Sequence, residues 1–160
     1  MLCPPMMLKK NSICTEVSGH KRSRIRIANG SEVVKPKGSG QCKPMILIYS
    51  PDMNFCFSLS SLFQDRYHII TTTDPELLGS LATIHGVSLV VIDDQPSRRM
   101  IERLREVRRV NNTLPLMMLY VYGPGDGDLD KTVRDHVDTV LYKPVNIIEI
   151  SRRIGELIAG

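Results

Sequence analysis

The sequence predicts an α/β fold: a five-stranded, doubly wound parallel sheet of order 2-1-3-4-5 with five helices, preceded by a disordered N-terminal arm. Three observations predict it. From Met45 onward, short aliphatic or β-branched runs alternate five times with amphipathic stretches. Short joints rich in Ser, Pro, Asp and Gly separate them, whereas residues 1–44 show no such alternation. Five β-α repeats require right-handed crossovers with helices on both faces of one sheet, and the order 2-1-3-4-5 meets that requirement economically.

The chain has 160 residues, 42% hydrophobic and 24% charged, with no run of eighteen apolar residues, so one soluble domain is expected and no membrane span. Its net charge of +4 hides a division. Residues 1–44 hold nine Lys/Arg against Glu16 and Glu32, which leaves twelve Lys/Arg against fifteen Asp/Glu for residues 45–160. The arm is therefore basic and the domain slightly acidic. All eight aromatics also lie beyond residue 44. A segment so poor in apolar surface does not repay its conformational entropy, so residues 1–44 are expected to be a disordered basic arm and 45–160 the domain. The apolar residues near the N-terminus are broken by Pro4 and Pro5 and precede the positive charges, which argues against a secretory signal and for the cytoplasm.

Each element follows from local pattern. The strands are expected at 45–50, 67–73, 88–93, 114–122 and 138–143, all continuous apolar runs of the kind buried on both faces. The first helix is expected to open at Ser50-Pro51-Asp52, with Ser50 as cap and Phe55, Leu59 and Leu62 facing inward. A second opens at Asp74-Pro75-Glu76, runs through Leu77, Leu78, Leu81 and Ile84, and stops at Gly86. The third carries Met100, Leu104 and Val107. A short polar fourth, near 128–137, turns Leu129 and Val133 inward, and the fifth does so with Ile147, Ile150, Ile154 and Leu157.

In such a sheet, chemistry gathers at the carboxyl ends of the strands. That rule selects Ser50 to Asp52, Asp93 and Asp94, Tyr120 to Asp128, and Lys143-Pro144. A carboxylate can act as a nucleophile toward phosphorus, and a Lys point charge neutralises phosphoryl oxygens. With SLVVID ending at Asp93, LPLMMLY ending at Tyr120 and LYKPVNIIEI containing Lys143-Pro144, residues 45–160 resemble the receiver domain of two-component response regulators over nearly their whole length. The resemblance implies a phosphoprotein that works as a stand-alone, non-enzymatic receiver in a phosphorelay. Asp93 would be the phosphoacceptor, Lys143 the phosphoryl contact and Tyr120 the switch position. Mg²⁺ would be held by Asp93 with Asp52 and Asp94. It implies a histidine kinase or phosphotransfer protein as donor and a protein target meeting helix 4, strand 5 and helix 5.

The sequence also departs from that family. The consecutive acids usual at the end of strand 1 are Ser50 and Pro51, and proline has no side-chain oxygen for a hard cation. Tyr120 stands where a small hydroxyl residue is usual, and Val140 where an aromatic is frequent. Asp93-Asp94-Gln95-Pro96 is one residue shorter than the usual segment. These departures define the alternative: a phosphorylation-independent pseudo-receiver that keeps the fold as an interaction module and has no Mg²⁺ site. A third reading, a nucleic-acid-associated protein acting through its arm, rests on KRSRIRI at 21–27. That stretch has no interleaved aromatics, so only the non-specific phosphate attraction is left to it, and nucleic acid is not expected as a partner.

Other signals fail on spacing. Cys3, Cys14, Cys42 and Cys56 form no C-x-x-C pair and are expected to be free thiols. Asp126, Asp128 and Asp130 begin like a calcium loop, but Lys131 replaces its glycine and Val137 its final Glu. Gly38, Gly40 and Lys43 lack Walker A spacing, and His20, His68, His85 and His136 have no partners in sequence. The third helix carries six arginines against Glu102 and Glu106. Pairs such as Arg98 with Glu102 and Glu106 with Arg109 are expected on a solvated face, with docking of an acidic partner as the alternative.

Overall fold

The computed structural model describes residues 43–160. The arm expected over 1–44 falls outside them except for Lys43 and Pro44, and Cys3, Cys14, Cys42 and His20 also lie outside. Lys43 Nζ donates to Gln64 O at 3.2 Å, and Pro44 O accepts from His68 N at 2.9 Å.

The elements run β1 (Met45–Tyr49), α1 (Met53–Phe63), β2 (His68–Thr72), a 3-10 turn Pro75–Leu77 continuing into α2 (Leu78–Leu81), β3 (Val87–Asp93), α3 (Arg98–Val110), β4 (Leu116–Tyr120), α4 (Gly127–Arg134), β5 (Thr139–Tyr142) and α5 (Ile147–Ala159). All strand pairs are parallel, in the order β2-β1-β3-β4-β5, as the alternation of segments predicts.

Successive strand residues point to opposite faces, so each continuous apolar run supplies two cores. On one face Leu47, Tyr49, Val90, Ile92, Leu116, Met118 and Tyr120 pack with Leu78, Met100, Leu104, Val107 and Val133. On the other, Ile46, Ile48, Leu89, Val91, Met117, Leu119 and Leu141 pack with Cys56, Leu59 and Phe63 of α1 and Ile150 and Ile154 of α5. The sheet is thus sealed on both sides, and only its edges are open to chemistry.

Several helix details differ from the expectation. The cap of α1 is Asp52, whose Oδ1 accepts from Asn54 N at 2.8 Å; Ser50 is employed elsewhere. Its inner face is Cys56, Leu59 and Phe63, while Leu62 is 57% exposed. With Phe or Leu at 55, 57, 59, 62 and 63, two faces satisfy helical periodicity, and the start at Met53 decides between them. Asp74 does cap the second helical segment, accepting from Glu76 N at 2.9 Å. That segment is shorter than expected: regular helix stops at Leu81, Leu77 and Ile84 are largely exposed, and Gly86 turns the chain with φ +97°. Such a φ suits glycine because a Cβ would crowd the backbone. Helix α4 ends at Arg134, short of 137, and Ile147 lies at the partly exposed start of α5.

The arginines of α3 pair mostly with other elements, and only Arg103 also pairs along the helix. Arg99 and Arg103 meet Glu76 at 2.5 and 2.6 Å, and Arg103 also meets Glu106 at 2.8 Å. Neither Arg98–Glu102 nor Glu106–Arg109 forms an ion pair. Arg108 donates to His136 O, Asn112 O and Leu114 O and pairs with Asp138 at 2.6 Å. Asp138 in turn accepts from Leu116 N at 2.7 Å, so this one guanidinium ties together the approaches to β4 and β5.

The inner face of α1 can be checked by truncation. Phe63→Ala is expected to cost about 3–5 kcal/mol of unfolding free energy, as for a buried aromatic, whereas Leu62→Ala stays within about 0.5 kcal/mol. Urea denaturation of both variants measures the difference.

Candidate functional site

The site lies where β1, β3, β4 and β5 end. Ser50 follows β1, Asp93 closes β3, Tyr120 closes β4 and Lys143 follows β5. The parallel register brings these ends level, with Asp93 beside Leu119 and Tyr120 beside Tyr142. A cleft is lined by Ser50, Pro51, Asp52, Phe55, Asp93, Asp94, Gln95, Tyr120 and Lys143. Sequence reasoning expected these strand ends to meet, and the structure brings them together.

Inside the cleft both oxygens of Asp93 are engaged. Lys143 Nζ forms an ion pair with Oδ1, and Ser50 Oγ donates to Oδ2 at 2.9 Å. Ser50 is fully buried, and the Asp93 side chain is 7% exposed. Lys143 is held from two further directions. Its backbone N–H donates to Tyr120 O at 2.8 Å, and its ammonium sits 5.0 Å from the centre of the Phe55 ring, within cation–π range. The Lys143-Pro144 bond is cis.

The other two acids expected at a metal are occupied separately. Asp52 caps α1, and its N–H donates to Ser50 Oγ at 3.0 Å. Asp94 accepts from Tyr49 OH at 2.9 Å and from Gln95 N at 2.7 Å. Burial, and then the bond to Asp94, pushes the Tyr49 phenol well above its ordinary range, so it stays a donor. Among the described residues no group of three His, Cys, Asp or Glu side chains is arranged to hold a metal ion. Mg²⁺ demands near-octahedral oxygen ligation, and here Asp93 faces a hydroxyl and an ammonium while Asp52 and Asp94, also on the cleft wall, are hydrogen-bonded elsewhere. The residues present do not fit the ion.

Cys56 lies beneath the cleft, its thiol directed at Ser50 O and Thr72 O at 3.8 and 3.9 Å. Burial raises its pKa, which keeps it a protonated and unreactive thiol.

At the fourth strand end, Tyr120 is buried and its hydroxyl reaches α4, donating to Asp130 Oδ1. Tyr142 OH donates to the same oxygen at 2.5 Å, and Arg134 pairs with Asp130 Oδ2 at 3.1 Å while donating to Tyr142 OH at 2.6 Å. Tyr120 and Tyr142 stack edge to face at 5.4 Å, and Tyr122 and Tyr142 at 5.3 Å. Asp130, Arg134 and Tyr142 were not expected to join the site. The i, i+4 spacing of Asp130 and Arg134, together with tyrosines at the matching ends of strands 4 and 5, was the signal available.

Desolvation opposes ionisation of Asp130, but the bonds from Tyr120, Tyr142 and Arg134 outweigh it and hold its pKa below the usual value. A carboxyl whose pKa is lower in the folded chain adds stability above its unfolded pKa, about 4, and loses it as pH falls through the folded value. Thermal unfolding measured from neutral pH downward is therefore expected to show an acid-side loss that is smaller in Asp130→Asn. Hydrogen exchange is expected to quicken across α4 in Tyr120→Phe, which removes one donor from Asp130.

This sheet order with five helices is the fold of response-regulator receiver domains. No family model matches the chain, and no curated protein sequence does. Among solved structures it is similar to a two-component response regulator from Clostridium difficile, at 18% identity and a TM-score of 0.60, covering 73% of this chain and 97% of that one. A chemotaxis protein from Vibrio cholerae matches at 17% identity and 0.62, covering 72% and 98%. The signal receiver domain of an HD domain-containing protein from Pseudomonas fluorescens matches at 16% and 0.64, covering 78% and 93%. These likenesses establish the fold. Among the described residues, no helix is long and apolar enough to cross a membrane.

Proposed function

We propose that this chain is a phosphorylation-independent receiver module, a non-enzymatic domain that acts by binding other proteins and uses Asp93 as a structural residue. The observation that carries the reading is the cleft around Asp93, where Ser50 and Pro51 follow β1 and Asp52 and Asp94 are hydrogen-bonded elsewhere, leaving Lys143 as the one cationic group against it among the described residues. Each Asp93 oxygen keeps a lone pair, but the incoming phosphoryl group brings negative charge that must be neutralised as the bond forms. Lys143 offers one positive charge and already spends it on Asp93. Ser50 offers a hydrogen bond and no charge.

The network at Asp130 supports the same reading. A switch transmitted through strand 4 needs a side chain that moves between two arrangements. Tyr120 is instead buried, stacked on Tyr142 and bonded to α4. The side of the domain formed by α4 and β5 is thereby held in one arrangement. Half-exposed Tyr122, Val121 and Arg134 at its border suit contact with a protein partner, since Tyr and Arg are favoured at such surfaces.

A second reading keeps Asp93 as phosphoacceptor for a histidine kinase or phosphotransfer protein, and the Asp93–Lys143 pair favours it. One experiment separates the two. With Mg²⁺ and acetyl phosphate or beryllofluoride, the protein is expected to show no mass shift and no backbone resonance changes. A Mg²⁺-dependent response that disappears in Asp93→Asn establishes the phosphoacceptor instead. Conversely, Ser50→Asp combined with Pro51→Asp is expected to create Mg²⁺-dependent stabilisation, read as a rise in Tm that the unmodified protein lacks.

A further inference from the structure

Helix α1 has an unusual exterior. Its eleven residues, Met53–Phe63, include no charged side chain, although Asn54, Phe57, Ser58, Ser61 and Leu62 are open to solvent. Phe57 is 73% exposed, Met53 64% and Leu62 57%, and Ile148 of α5 nearby is 77% exposed. The other long helices expose charge: α3 presents Arg98, Glu102, Arg105 and Arg109 at its surface. Apolar residues scattered singly over a surface need no explanation, but a whole neutral helix face carrying a phenylalanine at its middle does.

We propose that α1 is the interface of a homodimer, in which two copies lay this face against each other antiparallel across a two-fold axis. In a two-fold interface residue i of one copy meets residue j of the other, so only charges close to the axis meet their own like and repel. The neutral face of α1 is free of that penalty. Ser58 and Ser61 at its centre let the two helices approach closely, and Phe57 flanks them as the anchor.

The ends of the helix choose the direction. Asp52 stands at the N-terminus and belongs to no ion pair among the described residues. At the other end are Lys43, bonded to Gln64 O, and Arg66, which lies over the Tyr67 ring at 5.3 Å and donates to Ser151 Oγ. Asp65 offsets one of those two cations. Over a helix of about 16 Å, antiparallel pairing sets the acidic end of each copy against the net positive end of the other and opposes their helix dipoles favourably. Parallel pairing would oppose like ends. This inference makes no use of Asp93 and stands or falls separately from the absence of phosphorylation.

Sedimentation equilibrium of the full chain, from micromolar to millimolar concentration, tests it. The expected result is reversible association to twice the chain mass. Phe57→Asp is expected to raise the dissociation constant roughly thirtyfold or more, as loss of a central anchor does, and Leu62→Asp also weakens association. Arg66→Glu, which faces Asp52 of the second copy with like charge, weakens it several-fold. Val110→Asp, at a half-exposed site on α3, leaves it unchanged. Circular dichroism confirms the fold of each variant. A single-chain mass at every concentration overturns the proposal, as does a dimer that survives Phe57→Asp or yields equally to Val110→Asp.

Discussion

The Asp93 carboxylate organises one whole edge of this molecule. Closing β3, it draws a group from each of two strand ends distant in sequence: Ser50 after β1 and Lys143 after β5. A nearly buried carboxylate without partners is costly, whereas one that accepts from a hydroxyl and faces an ammonium is satisfied. Asp52 and Asp94 surround this centre but turn away, one to cap α1 and the other to accept from Tyr49. On the proposed reading the cleft keeps the outline of a phosphoryl site while its atoms serve cohesion. The shape follows from the strand order, and the chemistry from Ser50 and Pro51.

A second fixed point sits one strand away. Tyr120, Tyr142 and Arg134 converge on Asp130, joining β4, β5 and α4 through one carboxylate. Lys143 N bonds to Tyr120 O, so the two networks share the backbone at the end of β4. Communication between a site and a distant face requires an element with two arrangements of comparable energy. Here Tyr120 is buried and stacked on Tyr142, and both are bonded to Asp130, which favours one arrangement. On the proposed reading the module presents a constant surface, and its regulation is a matter of which partners are present.

The layout of the fold was legible in the sequence because continuous apolar strands and capped helices are signals of composition and period. All five strands fall within two residues of their expected bounds, and Asp74 caps as expected. Legibility fails where the pattern is degenerate or the interaction is long-range. Helix α1 is apolar on two faces, so Leu62 and Phe63 compete for the core and sequence alone does not rank them. Asp52 and Ser50 both suit a helix cap, and only the position of Asp93, 43 residues from Ser50, shows why the serine is drawn elsewhere. The meeting of Lys143 and Asp93 at one edge was expected from their strand ends, with Lys143 as a phosphoryl contact; the ion pair between them was not. The tyrosines on Asp130 depend on register between strands and on the placement of α4, which local spacing does not encode. The arginines of α3 show the same limit, since their partners Glu76 and Asp138 lie on other elements.

That Asp93 serves as a staple between strand ends is tested most directly by a double-mutant cycle in unfolding free energy, using Asp93→Asn, Lys143→Met and the pair together. Residues that hold each other give a coupling energy of about 1 kcal/mol or more, with each single variant less stable than the parent. Single-variant effects that add to within about 0.5 kcal/mol would contradict the account and leave Asp93 a carboxylate that the fold does not use.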